Sequence, residues 1–593
     1  MYVVATAGHV DHGKSTLVRA LTDMDPDRWK EEKDRGLTID LGFVWTTLPS
    51  GENLAFVDVP GHERFLGNML AGVGPVSVVL FVVAADEGWQ QQSQDHLDAL
   101  QAFGITHGVI ALTRADKADE NRRLEAIAAV RERIAGTALA DAPIIPTSAH
   151  TGEGLGALRE ALDDVVSRAL AHAQRADGRL RIWLDRSFSV KGAGTVVTGT
   201  LTASEVRVGD ELEIAGRDTA VTVRGLQSEN QQEDALHPVT RAALNLRGVG
   251  ADEVHRGDAL VCPGQWPAVE QFDARRVTGR ALDSVPEELA VHIGTASLTA
   301  HVRPLGVDHA RITLSRALPL EPGDRFVLRG PGSHHVLAGV SVLDVAPPEL
   351  NRRGAGKRRA EELEDLPLAG DPGPLVRRAG VVPVERLRLL GYETGEPPRG
   401  IIKFKGWWIH APQVRRWKEA LLAALREQAE RDPLSRGLTR AAARDAIRVA
   451  DDELLNLAIA AAKVESGEGY VRLPGAKVDL GWAEPGVAEL EKRLADDPFA
   501  APEAQELADL GLGTKELAVA ERTGRLLRLD GGVVLLPSAP QEAVKKLAAL
   551  DPGFTLSQAR RALGTTRRIA VPLLEHLDKR GLTRRDGNTR WLT

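Results

Sequence analysis

One cysteine, Cys262, stands in 593 residues. A single thiol excludes a disulfide framework and a cysteine-based zinc site, and it suits a reducing cytoplasm, where it can serve as a small buried hydrophobe. Long apolar runs are missing too: the longest, near 76–85, falls far short of the ~20 residues that cross a bilayer. The N-terminal run Met1-Tyr2-Val3-Val4-Ala5-Thr6-Ala7-Gly8 has no basic region before it, so neither an export signal nor a membrane partner is expected. Positive charge is not in excess either, with 75 Lys and Arg against 83 Asp and Glu, net −8, so the bulk charge gives no sign of nucleic-acid binding. What remains, 43% hydrophobic and 27% charged residues, is an ordinary globular composition and excludes a disordered or collagen-like chain. At roughly 100 to 200 residues per domain, the length implies three or more domains.

Residues 1–175 alternate β-rich apolar runs (2–6, 53–58, 76–84, 108–113 and 142–146) with helical patterns at 93–104 and 121–136, the order of a parallel sheet covered by helices. From 178 to 347 the helical period disappears. Short Val/Ile/Leu-rich segments are separated by turns such as Gly209-Asp210, Gly257-Asp258 and Pro322-Gly323-Asp324, which predicts two β-barrels, 178–266 and 267–347. A charged stretch at 352–365 reads as a linker or a solvated helix. Beyond it, helices followed by short apolar strand pairs recur every 55 to 65 residues or so. That repeat predicts four tandem winged helices (α+β) at 348–411 with the preceding linker, 412–478, 479–537 and 538–593, with one irregular helical domain as the alternative.

Gly8-His9-Val10-Asp11-His12-Gly13-Lys14-Ser15 fits G-x-x-x-x-G-K-[ST], directly after an apolar strand and opening a helical pattern at Thr16. Glycines let backbone N–H groups converge on phosphates, Lys14 reaches the β- and γ-phosphates, and the Ser15 hydroxyl is a ligand for Mg²⁺. The motif leaves ATP and GTP open. Asp58-Val59-Pro60-Gly61-His62 ends the next strand and offers Asp58 to a metal-bound water and the Gly61 N–H to a γ-phosphate. Arg35-Gly36-Leu37-Thr38-Ile39-Asp40 offers Thr38 as a hydroxyl that reaches the metal only when a triphosphate is bound, the behaviour of a switch loop.

These three motifs, in this order, resemble those of the translational GTPases. The resemblance implies an α/β P-loop GTPase domain that hydrolyses GTP to GDP. It also implies that His62 orients the attacking water, that Asp11 sits near a monovalent cation, and that Thr38 and Gly61 are the two arms of a γ-phosphate sensor, with hydrolysis slow until a partner completes the site. Guanine recognition departs from the family's Asn-Lys-x-Asp: here it is Thr113-Arg114-Ala115-Asp116. Asp116 can still accept from guanine N1–H and the exocyclic amine, the Arg114 stem or guanidinium can cover the base, and Ser148-Ala149 matches the last guanine loop. Thr113 in place of Asn, the compact segment 25–43, and Leu184-Asp185-Arg186-Ser187-Phe188 with the Lys191-Gly192-Ala193-Gly194-Thr195 that follows narrow the resemblance to the selenocysteine-specific elongation factors.

A selenol ionises more readily than a thiol, so a pocket that selects it needs fixed positive charge, which arginine supplies without risk of deprotonation. By resemblance that pocket includes Asp185, Arg186 and Arg241; barrel-surface ion pairs are the plain alternative. The last 40 residues, from Phe554, hold nine basic residues against three acidic, a balance of +6 within a chain of −8. Arg560, Arg561, Thr566, Arg567, Arg568, Arg584, Arg585 and Arg590 are the candidate RNA-binding set, from a recognition helix starting near Thr566 and a wing turning at Asp586-Gly587-Asn588. The resemblance implies a monomeric factor that carries selenocysteinyl-tRNA, reads an mRNA hairpin downstream of a UGA codon and works on the ribosome. A general aminoacyl-tRNA delivery GTPase and a nucleotide-switched DNA-binding regulator are the alternatives.

Overall fold

Alternating apolar strands and amphipathic helices build the front of the molecule. In this computed structural model, which describes residues 2–26, 38–173, 178–217, 219–333, 335–432, 434–475 and 480–593, the chain divides into two units, Met1–Trp408 and Ile409–Thr593. The first opens with β1 (Tyr2–Gly8), α1 (Lys14–Thr22), β2 (Gly42–Thr47), β3 (Asn53–Asp58), α2 (Leu66–Val73), β4 (Val78–Ala84), α3 (Gln91–Phe103), β5 (His107–Thr113), α4 (Glu120–Ile134), β6 (Ile144–Pro146) and α5 (Leu155–Ala173). The strands lie in the order β2-β3-β1-β4-β5-β6. β4 is buried at every position, as a central parallel strand covered on both faces must be. β1 divides its side chains between two cores, Val3, Ala5 and Ala7 on one face and Val4 on the other. β2 is a strand that apolar runs alone do not reveal. It pairs antiparallel at the sheet edge, where only one face needs cover, and so alternates buried and half-buried residues.

Residues 181–261 form a seven-stranded antiparallel sheet whose first and sixth strands, Glu211–Ile214 and Ala220–Ser228, also pair and close it into a barrel. Six strands from Ala268–Gly279 to Val336–Asp344 close a second barrel. The two are joined by Arg181, whose guanidinium meets both carboxylate oxygens of Asp324 at 2.7 Å and lies 4.5 Å from the centroid of the Trp266 ring. Half-buried Cys262 packs against the first barrel's core.

The charged stretch after the second barrel is a helix with most of its charges in solvent and one of them enclosed. Helix Ala355–Glu364 buries Arg359 to 2% exposure, with Nε on Asp273 (2.7 Å), Nη1 on Glu362 (3.0 Å) and Nη2 on Asp344 (2.5 Å). Arg311 holds both Asp273 oxygens from the other side, at 2.7 and 3.0 Å. A sheet that ends in Trp407–His410 marks the boundary of the units.

In the second unit, helices alternate with small sheets at 438–472 and 554–592, each of three strands, and a two-stranded sheet at 527–535. These are tandem winged helices, and one apolar core from Leu434 to Leu577 runs through the last two and takes in a residue of the one before them. Among the described residues no helix is long and apolar enough to cross a membrane.

Candidate functional site

The loop between β1 and α1 sits where strand order reverses about β1, the position at which doubly wound sheets bind ligands. Gly8 (φ 128°) has no room for a side chain, because a Cβ there would lie 2.1 Å from the Val82 carbonyl oxygen. Gly13 (φ 83°) caps α1 in the left-handed region that favours glycine. Lys14 donates to the carbonyls of Gly8 (3.1 Å) and His9 (2.8 Å), and burial lowers its pKa to about 8 against the opposing pull of Asp58 and Asp11. Ser15 Oγ donates to Asp58 Oδ2 at 2.6 Å and lies 2.9 Å from Thr38 Oγ1. Two hydroxyls and a carboxylate converging at the helix start form the hard-oxygen donor set that Mg²⁺ takes, so Ser15, Thr38 and Asp58 fit that ion. Gly61 closes this wall: a Cβ would come 2.3 Å from Lys14 Nζ and 2.7 Å from the Val10 nitrogen.

The cavity, of about 980 Å³, is lined by Val10, Asp11, Gly13, Lys14, Ser15, Thr16, Thr38, Gly61, Thr113, Arg114, Asp116, Ser148 and Ala149 from the sequence-predicted set. Gly8, His9, His12 and Asp58 support it from behind. Asp11 is exposed, with φ 61°. The structure places His62 outside the lining. There it caps the short helix Glu63–Phe65, its Nδ1 accepting from the Arg64 N–H at 3.2 Å. At the base end, the Thr113 hydroxyl donates to the His12 carbonyl at 2.6 Å, tying the end of β5 to the phosphate loop. The Arg114 head is held by Asp86 (3.3 Å), Glu87 (2.5 Å) and the Asp11 carbonyl, so its stem, not its guanidinium, is what remains for a base. The Ser148 hydroxyl beside Asp116 holds that exposed carboxyl below its ordinary pKa, which leaves it an ionised acceptor.

Sequence reasoning missed the layer beneath the loop. Gln92 Oε1 accepts from the Val10 N–H (3.0 Å) and His96 Nδ1 from the Gly8 N–H (2.9 Å), both reaching from one face of α3. Complete burial lowers the His96 pKa well below its usual value, so the ring stays neutral and can accept. The i, i+4 spacing of Gln92 and His96 was the available signal, with nothing to link it to a loop more than 80 residues away. Arg19, Asp25, Lys117 and His150 are further lining residues. Most of the switch segment that carries the resemblance, 27–37, lies outside the described residues.

A second site lies where the first barrel meets β2. A β-bulge between Leu184 and Arg186 interrupts strand Arg181–Val190 and turns neighbouring side chains to one place. Arg241 forks onto buried Asp185, with Nη2 2.7 Å from Oδ1, and Thr198 donates to the same oxygen at 2.7 Å. The guanidinium carbons of Arg241 and Arg186 lie 3.7 and 4.8 Å from the centroid of the Phe43 ring. Arg186 also donates to the Leu41 carbonyl, and Arg256 reaches Asp40 (3.3 Å) and Asn68 (3.1 Å). The structure therefore brings Asp185, Arg186 and Arg241 together, and only 5% of the Asp185 side chain is exposed, unlike a surface ion pair. Phe43, Asp40 and Arg256 were not legible in the sequence.

In the second unit, Thr566 precedes helix Arg567–Lys579, and strands Thr583–Asp586 and Thr589–Leu592 form a hairpin with Gly587 (φ 56°) in its turn. Arg561, Thr566, Arg567, Arg568, Arg584 and Arg585 are exposed, and Arg560 is half-buried. Two members of the predicted set are otherwise engaged. Arg590 is 7% exposed and bound to Asp578 (2.9 Å), because alternation along its strand turns it to the core. Arg568 donates to the carbonyls of Ala501 (2.7 Å) and Pro502 (3.2 Å), joining the last winged helix to the one before it.

Three family profiles match the chain: elongation factor Tu GTP-binding domain over 1–168, the β-barrel domain of selenocysteine-specific elongation factor over 280–349, and elongation factor SelB winged helix over 545–592. The chain is similar to the selenocysteine-specific elongation factor of Escherichia coli (strain K12), 34% identical over 99% of this chain and 98% of that protein. It is 30% identical to that of Desulfomicrobium baculatum, over 99% of both. A crystal structure of a bacterial selenocysteine-specific elongation factor superposes with TM-score 0.74 at 26% identity, covering 100% of this chain and 99% of that one.

Proposed function

Because this chain belongs to the selenocysteine-specific elongation factors and is a translational GTPase, we propose that it carries selenocysteinyl-tRNA in its GTP-bound form, reads an mRNA hairpin through its last winged helix, and delivers the tRNA at UGA on the ribosome, which stimulates GTP hydrolysis. The observation that carries this reading is the pair of guanidiniums over Phe43, backed by buried Asp185. Arg241 is paired with Asp185, and Arg186 with Asp40 at 3.8 Å and with the Leu41 carbonyl, so two fixed guanidiniums face one place. A selenolate offers a full negative charge to these groups. A serine hydroxyl offers only a dipole, so charge adds to the smaller size of oxygen in setting the two side chains apart.

In the nucleotide site, Lys14 trades its two loop carbonyls for phosphate oxygens, and Asp116, Ser148 and Ala149 meet the guanine edge. Ser15 and Thr38, with Asp58 through a bound water, would hold Mg²⁺, which would supply neutralising charge for the phosphates. His62 turns from its cap on Arg64 to orient the attacking water. Filter binding in GTP tests the reading. Selenocysteinyl-tRNA is expected to bind at least tenfold more tightly than the same tRNA charged with serine, and equal affinities overturn it.

A further inference from the structure

We propose that Trp591 is the residue on which an unpaired base of the RNA hairpin stacks, with Arg584 taking the phosphate beside it. The inference deepens the hairpin-binding reading above and rests on it. Strand Thr589–Leu592 is the middle strand of its three-stranded sheet, so it has a neighbour on each side. Its side chains alternate: Arg590 is buried and Leu592 packs against the core, while Trp591 faces out with 45% of its surface exposed. Arg584 stands directly across from it on the neighbouring strand. On the other side Phe554 pairs with Arg590, which sets Gly553 beside the indole.

That glycine is what gives the ring its place. A Cβ at Gly553 would come within 3.1 Å of Trp591 Cζ2 and 3.5 Å of Cε2, so the six-membered edge of the indole lies against bare backbone. Anchored on one edge and open on its face, the indole is a large aromatic surface that loses little side-chain freedom when something is laid on it. Arg584 is the basic group across from it, and Arg561, Arg567, Arg580 and Arg585 are exposed elsewhere on the same small domain. An exposed aromatic with an arginine across from it is the chemistry that receives single-stranded RNA, whose splayed bases stack while guanidiniums meet the backbone; duplex DNA keeps its bases stacked inside and offers no such face. A purely structural tryptophan, there only to cover Gly553, would need no arginine opposite it.

The probe is the hairpin that follows an in-frame UGA in a message of the source organism, used with the full chain, and with each unpaired nucleotide either intact or replaced by an abasic site. Trp591→Leu keeps an apolar cover on Gly553 and is expected to weaken binding of the intact hairpin about fivefold to a hundredfold, and Trp591→Phe to stay within about threefold of wild type. One abasic position should cost the wild-type chain the same factor and cost Trp591→Leu nothing further. If Trp591→Leu binds the intact hairpin like wild type, or if no abasic site removes the difference between them, the stacking role is overturned. Should the leucine variant fail to fold, the abasic series on the wild-type chain decides alone, since equal affinity across it also overturns the role. A wild-type chain that does not bind the intact hairpin overturns the underlying RNA reading instead.

Discussion

In the first unit the arginines that matter are enclosed and matched: Arg359 against three carboxylates, Arg241 against Asp185, Arg181 against Asp324. In the last winged helix Arg567, Arg584 and Arg585 stand in solvent. The same side chain therefore does two kinds of work. Enclosed, its charge is fixed in direction and desolvated, so it discriminates one ligand from another and holds strands together. Exposed, it acts through the sum of charge and the counterions it displaces, which favours any polyanion and leaves selection to shape and stacking.

The contrast is broken hardest at Arg359. Arg359→Met leaves Asp344 and one side of Asp273 buried without their cation and should cost about 3–5 kcal/mol, read as a lowered unfolding midpoint for the first unit; a change within error would mean that the buried cluster is not a matched set. Arg241→Ala should cost about 1.5–3 kcal/mol of the preference for selenocysteinyl- over seryl-tRNA while leaving the salt dependence of tRNA binding unchanged, measured by filter binding across a salt series. Enclosure also sets a pH dependence at Lys14. Burial lowers its pKa to about 8 and a triphosphate raises it again, so binding takes up a proton at any pH where Lys14 has begun to lose one. GTP affinity should hold below pH 8 and fall above it by up to about tenfold per unit, in calorimetric titrations at several pH values. The smallest effects fall on the exposed set. Arg567→Gln and Arg584→Gln should each flatten the logarithmic salt slope of hairpin binding by about 0.7–0.9, the signature of one lost phosphate contact. Arg590→Gln, tied to Asp578, should lower the melting temperature and leave that slope alone.

What the sequence disclosed follows the same division. The phosphate loop was legible because its residues are contiguous and sit between a strand and a helix. Thr38, Asp58 and Gly61 were legible because each belongs to a short motif beside a strand end. Gln92 and His96 were not, since their role arises only when α3 packs beneath a loop far away in the chain. Asp40 ends the switch motif and Phe43 stands three residues beyond it, yet nothing local says that a bulge in another domain aims two arginines at them. The stretch at 352–365 was legible as a solvated helix, but its one enclosed charge was not, for the same reason: composition records many charges but not that Asp273 and Asp344, on two barrel strands, converge on one of them. Counting the +6 of the last segment likewise included Arg590 and Asp578, which neutralise each other inside.

That buried cluster also bears on the order in which the chain becomes folded. The second barrel's last strand ends at Asp344, but the buried carboxylates beneath helix Ala355–Glu364, outside the barrel's apolar core, acquire Arg359 only when that helix is in place. During synthesis the barrel is thus a closed sheet with an uncovered acidic patch on one outer face until some twenty further residues have emerged, and a fragment cut at 347 would carry that uncovered patch permanently. The seam between barrel and winged helices, drawn by composition at a proline pair, falls in the middle of one folding unit.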